Sequence, residues 1–328
     1  MPPSYHAHFE RSTIMTLRHA IRLAVLPLLF SLPGCAAAEA EPVAAANGAV
    51  VAIPAAFDRN DADPALWVIK DADTTIYLFG TIHLLKPDLV WFDDAVKSAF
   101  DASGELVLEM IEPDTATMQK GVMARAIATD GIALRDRLND AQRAKYDAAM
   151  TAIGVPPAAF DRFKPWMAAI TLATAPMQKL GFDPATGVEK VVTREAKDEG
   201  KTIAAVETFD QQIGFFDTLP VADQITFMMA TIDGLPDLAA ETARMERAWA
   251  TGDTDDLAAL MNEGLEASPT LQKILLADRN ARWAAWLDER MKQPGTVFMA
   301  VGAGHLAGDK SVQAYLAQRG LVATRIDY

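Results

Sequence analysis

The stretch Thr74-Thr75-Ile76-Tyr77-Leu78-Phe79-Gly80-Thr81-Ile82-His83 decides how this chain folds. Residues rich in β-branched and aromatic side chains run into a glycine, and a histidine follows three positions later. The run is apolar on both faces, which predicts a central strand covered on both sides. Leu66-Trp67-Val68-Ile69-Lys70 precedes it across Asp71-Ala72-Asp73, so the two form a β-hairpin. The same pattern recurs near the other end of the chain: Thr296-Val297-Phe298-Met299-Ala300-Val301 runs into Gly302-Ala303-Gly304-His305.

Between these two runs, strands alternate with helical patterns. A helix is expected over 91–102, a strand over Glu105–Met110, a short helix over Val188–Lys197 and a strand over Thr202–Val206. Helical periodicity covers 113–180, broken at Gly131, Gly154-Val155-Pro156-Pro157 and Pro165. It returns over 221–264 and over a long helix at 270–291. A helix at 310–319 and a strand at 321–326 close the chain. The strands cluster at the two ends of the sequence. The pattern predicts an α/β fold: a single domain over 65–328 whose central mixed sheet is built from both ends of the chain, capped by helical inserts at about 113–180 and 221–264.

Of five histidines, His6, His8 and His19 lie in the first 34 residues, and only His83 and His305 remain beyond them. Both sit in a strand-Gly-x-x-His context. Glu109 ends the strand Leu106–Leu108, and Glu207 ends the strand Ile203–Val206. Four strands thus deliver a polar residue at or just past the carboxyl end, the edge where open α/β sheets bind ligands. Two imidazoles with one or two carboxylates are a ligand set for a divalent transition metal, and such an ion makes a nucleophile of bound water near neutral pH. His83, Glu109 and His305 are the expected metal ligands, and Glu207 the general base. Arg279 falls on the apolar stripe of the long helix, four residues after Leu275 and four before Trp283. Buried there, it must be paired, so it orients a site carboxylate or binds a carboxylate of the substrate. Its neighbour Asn280 can both donate and accept. No GxSxG, Walker loop, HExxH or Rossmann GxGxxG is present.

The chain has 328 residues, 51% of them apolar and 23% charged, with a formal net charge of −14. The composition is globular, and an acidic surface repels phosphate backbones, so no nucleic-acid partner is expected. The short apolar run Ile21–Phe30 stands with Arg18 and Arg22 at its start, and the small residues Gly34, Cys35 and Ala36 follow it, as in a secretory signal over 1–34. Met15 offers a more usual start than Met1. Cys35 is the only cysteine, which precludes an intrachain disulfide. Leu32-Pro33-Gly34-Cys35 is similar to a bacterial lipobox, with Pro33 departing from the usual small residue. A periplasmic protein anchored to the membrane by a lipid on Cys35 is expected, the alternative being a plain signal peptide cut within Ala36–Ala40 that leaves a soluble periplasmic protein; 35–64, rich in Ala, Pro and Asp, reads as a flexible tether.

These residues together resemble the TraB/PrgY/GumN family, which includes the Tiki metalloproteases. The matching stretches are Leu66-Trp67, Tyr77–His83, Glu109, Gly187-Val188-Glu189, Glu207-Thr208 with Gln211 or Gln212, Arg279-Asn280, and Val301–Leu306. They span about Leu66 to Ile326. The resemblance implies a fold shared with erythromycin esterase and ChaN-like haem- or iron-binding proteins. Tiki members imply a metal-dependent peptidase acting on a peptide or protein substrate, with manganese or cobalt favoured and zinc also compatible. It implies His83, Glu109 and His305 as site residues, with Arg279 and Asn280 supporting. Gly187-Val188-Glu189 stands where relatives often have Gly-Val-Asp. The alternatives are a haem- or iron-binding protein without hydrolytic activity, and a cell-surface interaction protein whose site is vestigial.

Overall fold

A computed structural model describes residues 61–83, 85–87, 89–261 and 269–328. The expected signal, Cys35, nearly all of the tether and the end of the second insert lie outside the described residues.

Six strands form one mixed sheet: β1 (Leu66–Lys70), β2 (Thr74–Thr81), β3 (Glu105–Met110), β4 (Thr202–Glu207), β5 (Gly295–Gly302) and β6 (Thr324–Arg325), in the order β4-β3-β5-β2-β1-β6. β1 and β2 form the expected hairpin. β2 pairs with β5, β5 with β3 and β3 with β4, all in parallel. The first and last long strands are therefore direct neighbours, and the sheet is assembled from both ends of the chain. β5 lies between β2 and β3. Glu109 accordingly adjoins the Gly302–His305 turn, not the Gly80–His83 turn that order along the chain suggests. β6 is only two residues long, against the longer strand expected.

Side chains alternate across the central strands. On β5, Phe298 and Ala300 enter one core with Phe79, Leu106 and Leu108, whereas Val297, Met299 and Val301 enter another with Ile76, Leu78 and Val107. The first face is covered by α1 (Asp94–Asp101), α5 (Val188–Asp198), α8 (Leu238–Ala250) and α9 (Thr254–Met261), through Phe100, Val192, Trp249 and Leu260. The second is covered by α10 and by α11 (Val312–Ala317). α10 runs through Pro269–Gln272, a π-helical segment Lys273–Ala277 and Asp278–Arg290. Trp283 and Leu287 of α10 and Leu316 of α11 are buried in that layer.

A third core is purely helical. It joins α2 (Thr115–Ala126), α3 (Asp140–Ala152), α4 (Pro165–Lys179), α6 (Phe209–Asp217), α7 (Val221–Gly234) and the start of α10. This is the cap the sequence predicts, with two differences. α6, absent from the sequence reading, belongs to it through Ile213 and Phe216. The 221–264 insert is divided: α7 joins the cap, whereas α8 and α9 cover the sheet. Trp249 accounts for the division, because its indole lies among Phe79, Trp91 and the sheet core, and Nε1 donates to the Gly80 carbonyl at 2.8 Å. Among the described residues no helix is long and apolar enough to cross a membrane.

Candidate functional site

Because β4, β3, β5 and β2 are parallel neighbours, their carboxyl ends share one edge of the sheet. Along it stand Glu207, Glu109, His305 and His83 in that order. The register pairs Thr81 with Gly302, so the two GxxH turns are offset by one residue. They also touch, since a Cβ on Gly80 would lie 3.1 Å from Ala303 Cα. The close approach of the turns thus favours glycine there.

Half of the site is built around Arg279, which is 1% exposed. A guanidinium has five N–H donors, and here all five are used. Nε donates to Glu207 at 3.0 and 3.1 Å, and Nη2 to Glu207 Oε2 at 2.8 Å and Glu109 Oε2 at 2.6 Å. Nη1 donates to the Leu275 carbonyl at 3.3 Å and to His305 Nε2 at 2.9 Å. The guanidinium carbon lies 5.3 Å from the Phe215 ring centre and 4.8 Å from that of Trp283. Since Arg279 can only donate, His305 Nε2 must accept, which places the imidazole proton on Nδ1. That nitrogen is 2.5 Å from Asn280 Oδ1, and the Asn280 amide nitrogen donates in turn to the Lys310 carbonyl at 2.6 Å. Burial first, then the Arg279 charge, pushes the His305 pKa well below the ordinary value, so this imidazole is neutral.

The carboxylates are equally engaged. Glu109 Oε1 accepts the Gly302 N–H at 2.6 Å. Glu207 Oε1 accepts from Trp283 Nε1 at 3.1 Å. Gln212 Nε2 bridges Glu109 and Glu207, at 3.2 Å from each. Gln212 reaches them because Thr208 and Gln211 form a reciprocal capping box that starts α6 immediately after Glu207.

The other half is His83. Val188 N–H donates to the Ile82 carbonyl at 3.0 Å, seating the first turn of α5 on the Gly80–His83 turn. A Cβ on Gly187 would overlap the His83 carbonyl oxygen, so only glycine lets the helix dock there. Glu189, in that first turn, approaches His83 Nδ1 at 2.8 Å, and the Thr81 hydroxyl donates to the same carboxylate oxygen. Burial opposes protonation of His83, but the charge and hydrogen bond of Glu189, with Glu109 and Glu112 beyond, outweigh it and raise its pKa. His83 Nε2 is buried and has no hydrogen-bond partner. The His83 and Glu189 side chains are 19% and 18% exposed, so this half is the open one.

The profile of the TraB/PrgY/gumN family matches residues 65–325. The chain belongs to the TraB/PrgY/gumN family. Among curated relatives, a Treponema pallidum protein is 22% identical over 272 residues, covering 78% of this chain and 81% of its own. YbaP of Escherichia coli K12 is 24% identical over 255 residues, covering 77% of this chain and 92% of its own. Both carry the description "uncharacterized protein". No solved structure matches the chain.

Within this family member, the structure brings together all six residues singled out from the sequence: His83, Glu109, Glu207, Arg279, Asn280 and His305. Arg279 orients carboxylates and has no N–H left for a substrate. A divalent ion held by His83, Glu109 and His305 together does not fit this donor set. The His305 lone pair belongs to Arg279, Glu109 Oε2 is likewise bound to it, and only His83 offers a free nitrogen. Among the described residues no three His, Cys, Asp or Glu side chains gather closely enough to hold a metal ion. Sequence reasoning left open the place of Gln212 and the role of Glu189, and it passed over Thr81 and Trp283. For Gln212 the Thr208-x-x-Gln211 box was a usable signal. For the others only the three-dimensional contacts identify them.

Proposed function

We propose that this protein is a hydrolase whose water is activated by His83, with a peptide bond as its substrate. The observation that carries this reading is the His83 side chain: a buried Nε2 without a partner, on an imidazole whose Nδ1 is held by Glu189. That is the arrangement of a general base oriented by a carboxylate. Nε2 takes a proton from water as the oxygen attacks the carbonyl carbon, and the same proton then goes to the departing amine. Glu189 stabilises the imidazolium in between. Glu207, expected as the base, has both oxygens hydrogen-bonded and is 5% exposed, which favours His83 for that work. The peptide substrate rests on the likeness to Tiki proteins. The expected divalent metal would compete with this role: an imidazole backed by a carboxylate is also a metal-ligand pattern, and an ion on His83 Nε2 would supply an acidified water in place of the general base.

A quenched fluorescent peptide library tests the reading. Cleavage by the wild type and a loss of about 10²–10⁴-fold in His83→Ala are expected, the usual contribution of a positioned base. Equal cleavage by both proteins contradicts it. The Leu32–Cys35 stretch supports an exported, lipid-anchored protein as part of the same proposal. Palmitate labelling that persists in Cys35→Ser contradicts that part.

A further inference from the structure

We infer that Arg279 is the resident cation of this site: it takes the place that the paired GxxH motifs and strand-end glutamates would give a divalent ion, and His305 is its acceptor, not a metal ligand. The inference concerns what holds the site together and stands whether or not the site hydrolyses peptides.

The first argument is the direction of the lone pairs. A metal site needs unshared donor atoms converging on one point. Here the Nε2 of His305, Oε2 of Glu109 and both oxygens of Glu207 converge, and the point on which they converge is a guanidinium. Every N–H of that group has an acceptor, so the match is complete on both sides. The second argument is the pair of aromatic rings at the guanidinium. Trp283 and Phe215 face the guanidinium carbon at 4.8 and 5.3 Å, an arrangement that suits a planar, weakly hydrated cation. Trp283 also packs against the His305 ring, tilted by 45° with centroids 4.4 Å apart. The third is the tautomer. Asn280 orients the imidazole so that its lone pair points at Arg279, and Asn280 is itself fixed on the Lys310 carbonyl. A fourth comes from the helix. The π-helical segment Lys273–Ala277 immediately precedes the α-helical turn that bears Arg279, and the Leu275 carbonyl within it accepts from Nη1. Such segments in a long helix recur at functional sites.

An ion bound by His305 and Glu109 would have to displace this guanidinium and leave a buried charge without partners. The cation is therefore built into the chain.

Equilibrium dialysis of the purified full chain against manganese, cobalt or zinc, read together with thermal midpoints, tests the inference without measuring turnover. The wild type is expected to bind no ion through His305, so His305→Gln leaves its metal content unchanged. Metal lost in His83→Ala but kept in His305→Gln agrees with the inference. Arg279→Met removes the guanidinium and frees its acceptors. This variant is expected to gain a metal-dependent rise in midpoint beyond any that the wild type shows, by linkage of binding to folding. The rise should disappear in Arg279→Met with His305→Ala. One equivalent of ion in the wild type that is lost in His305→Gln overturns the inference. A folded Arg279→Met that gains no metal-dependent stabilisation also counts against it. Should Arg279→Met fail to fold, the wild type and His305→Gln decide the matter. Failure of the hydrolase reading would appear separately, as a wild type that cleaves no peptide.

Discussion

Two turns of the same local sequence, Gly80-Thr81-Ile82-His83 and Gly302-Ala303-Gly304-His305, lie side by side on neighbouring parallel strands and do opposite things with their histidines. His305 is 5% exposed, bonded through both ring nitrogens and held neutral beside Arg279. His83 is partly exposed, bonded through one nitrogen to a carboxylate, and inclined to take a proton. The motif supplies a turn that presents an imidazole at the sheet edge. What the imidazole does is set by the element that packs against it: α10 with Arg279 and Asn280 at one turn, α5 with Glu189 at the other. Identical motifs at one edge therefore need not share a ligand.

The largest difference should appear in stability. Arg279→Met leaves buried Glu109 without its guanidinium and Glu207 with only the exposed Arg282, 3.5 Å from its Oε1, and a loss of about 3–5 kcal/mol is expected in denaturant unfolding. His83→Ala, at the open half, should cost about 1 kcal/mol or less. Equal losses would erase the contrast between the two halves.

The partners of the two imidazoles sharpen it further. Asn280→Ala strands the buried Nδ1–H of His305 and the Lys310 carbonyl, so about 1–3 kcal/mol of stability should be lost. Glu189→Gln keeps the shape but removes the charge behind His83. Its effect should fall on turnover, by roughly 10–100-fold as for other groups that orient a reacting or ligating histidine, and the lower limb of the pH–rate profile should move to lower pH. A Glu189→Gln that matches wild-type turnover at every pH would separate Glu189 from the chemistry.

A smaller effect has opposite signs at the two turns. The His83 pKa is raised in the fold above its ordinary 6.5, so the folded state holds the proton more tightly than the unfolded state. Its stabilisation is complete below 6.5 and is lost as pH rises through the folded value. The His305 pKa is lowered, so below 6.5 the unfolded state takes up protons that the folded state refuses, and stability falls as the pH falls. The slope of thermal midpoint against pH should therefore flatten above 6.5, on the alkaline side, in His83→Gln and below 6.5, on the acid side, in His305→Gln. Both variants altering the same side would contradict the assignment.

What the sequence made legible was the sheet edge, because that information is local. Each of the four strands announces itself by a short apolar run, and each has a histidine or glutamate at or just past its end that the parallel pairing then collects. The anomaly of Arg279 was also legible, since a charge on the apolar stripe of 270–291 has to find partners. The contacts that give each residue its task are not local. Glu189 meets His83 across 106 positions of chain, through a helix that docks only because residue 187 is glycine. His305 and Glu109 read as metal ligands by residue type, but their lone pairs are claimed by an arginine on another helix. The order of strands had the same origin: Glu109 reads as a neighbour of His83 along the chain, and β5 comes between them. The short β6 and the divided 221–264 segment reflect packing against Trp67 and Trp249, which periodicity does not encode.

The unlike roles of the two histidines can be read in one experiment. Side-chain nitrogen shifts of the ¹⁵N-histidine-labelled full chain, followed by NMR from pH 5 to 9, report tautomer and protonation of each imidazole, with assignments from His83→Gln and His305→Gln. His83 is expected to titrate, with a midpoint above 6.5. His305 is expected to remain a neutral Nδ1–H tautomer over the folded range. Two histidines titrating together, or a His305 that protonates near 6.5, would contradict the division of the site into an open half and a locked half.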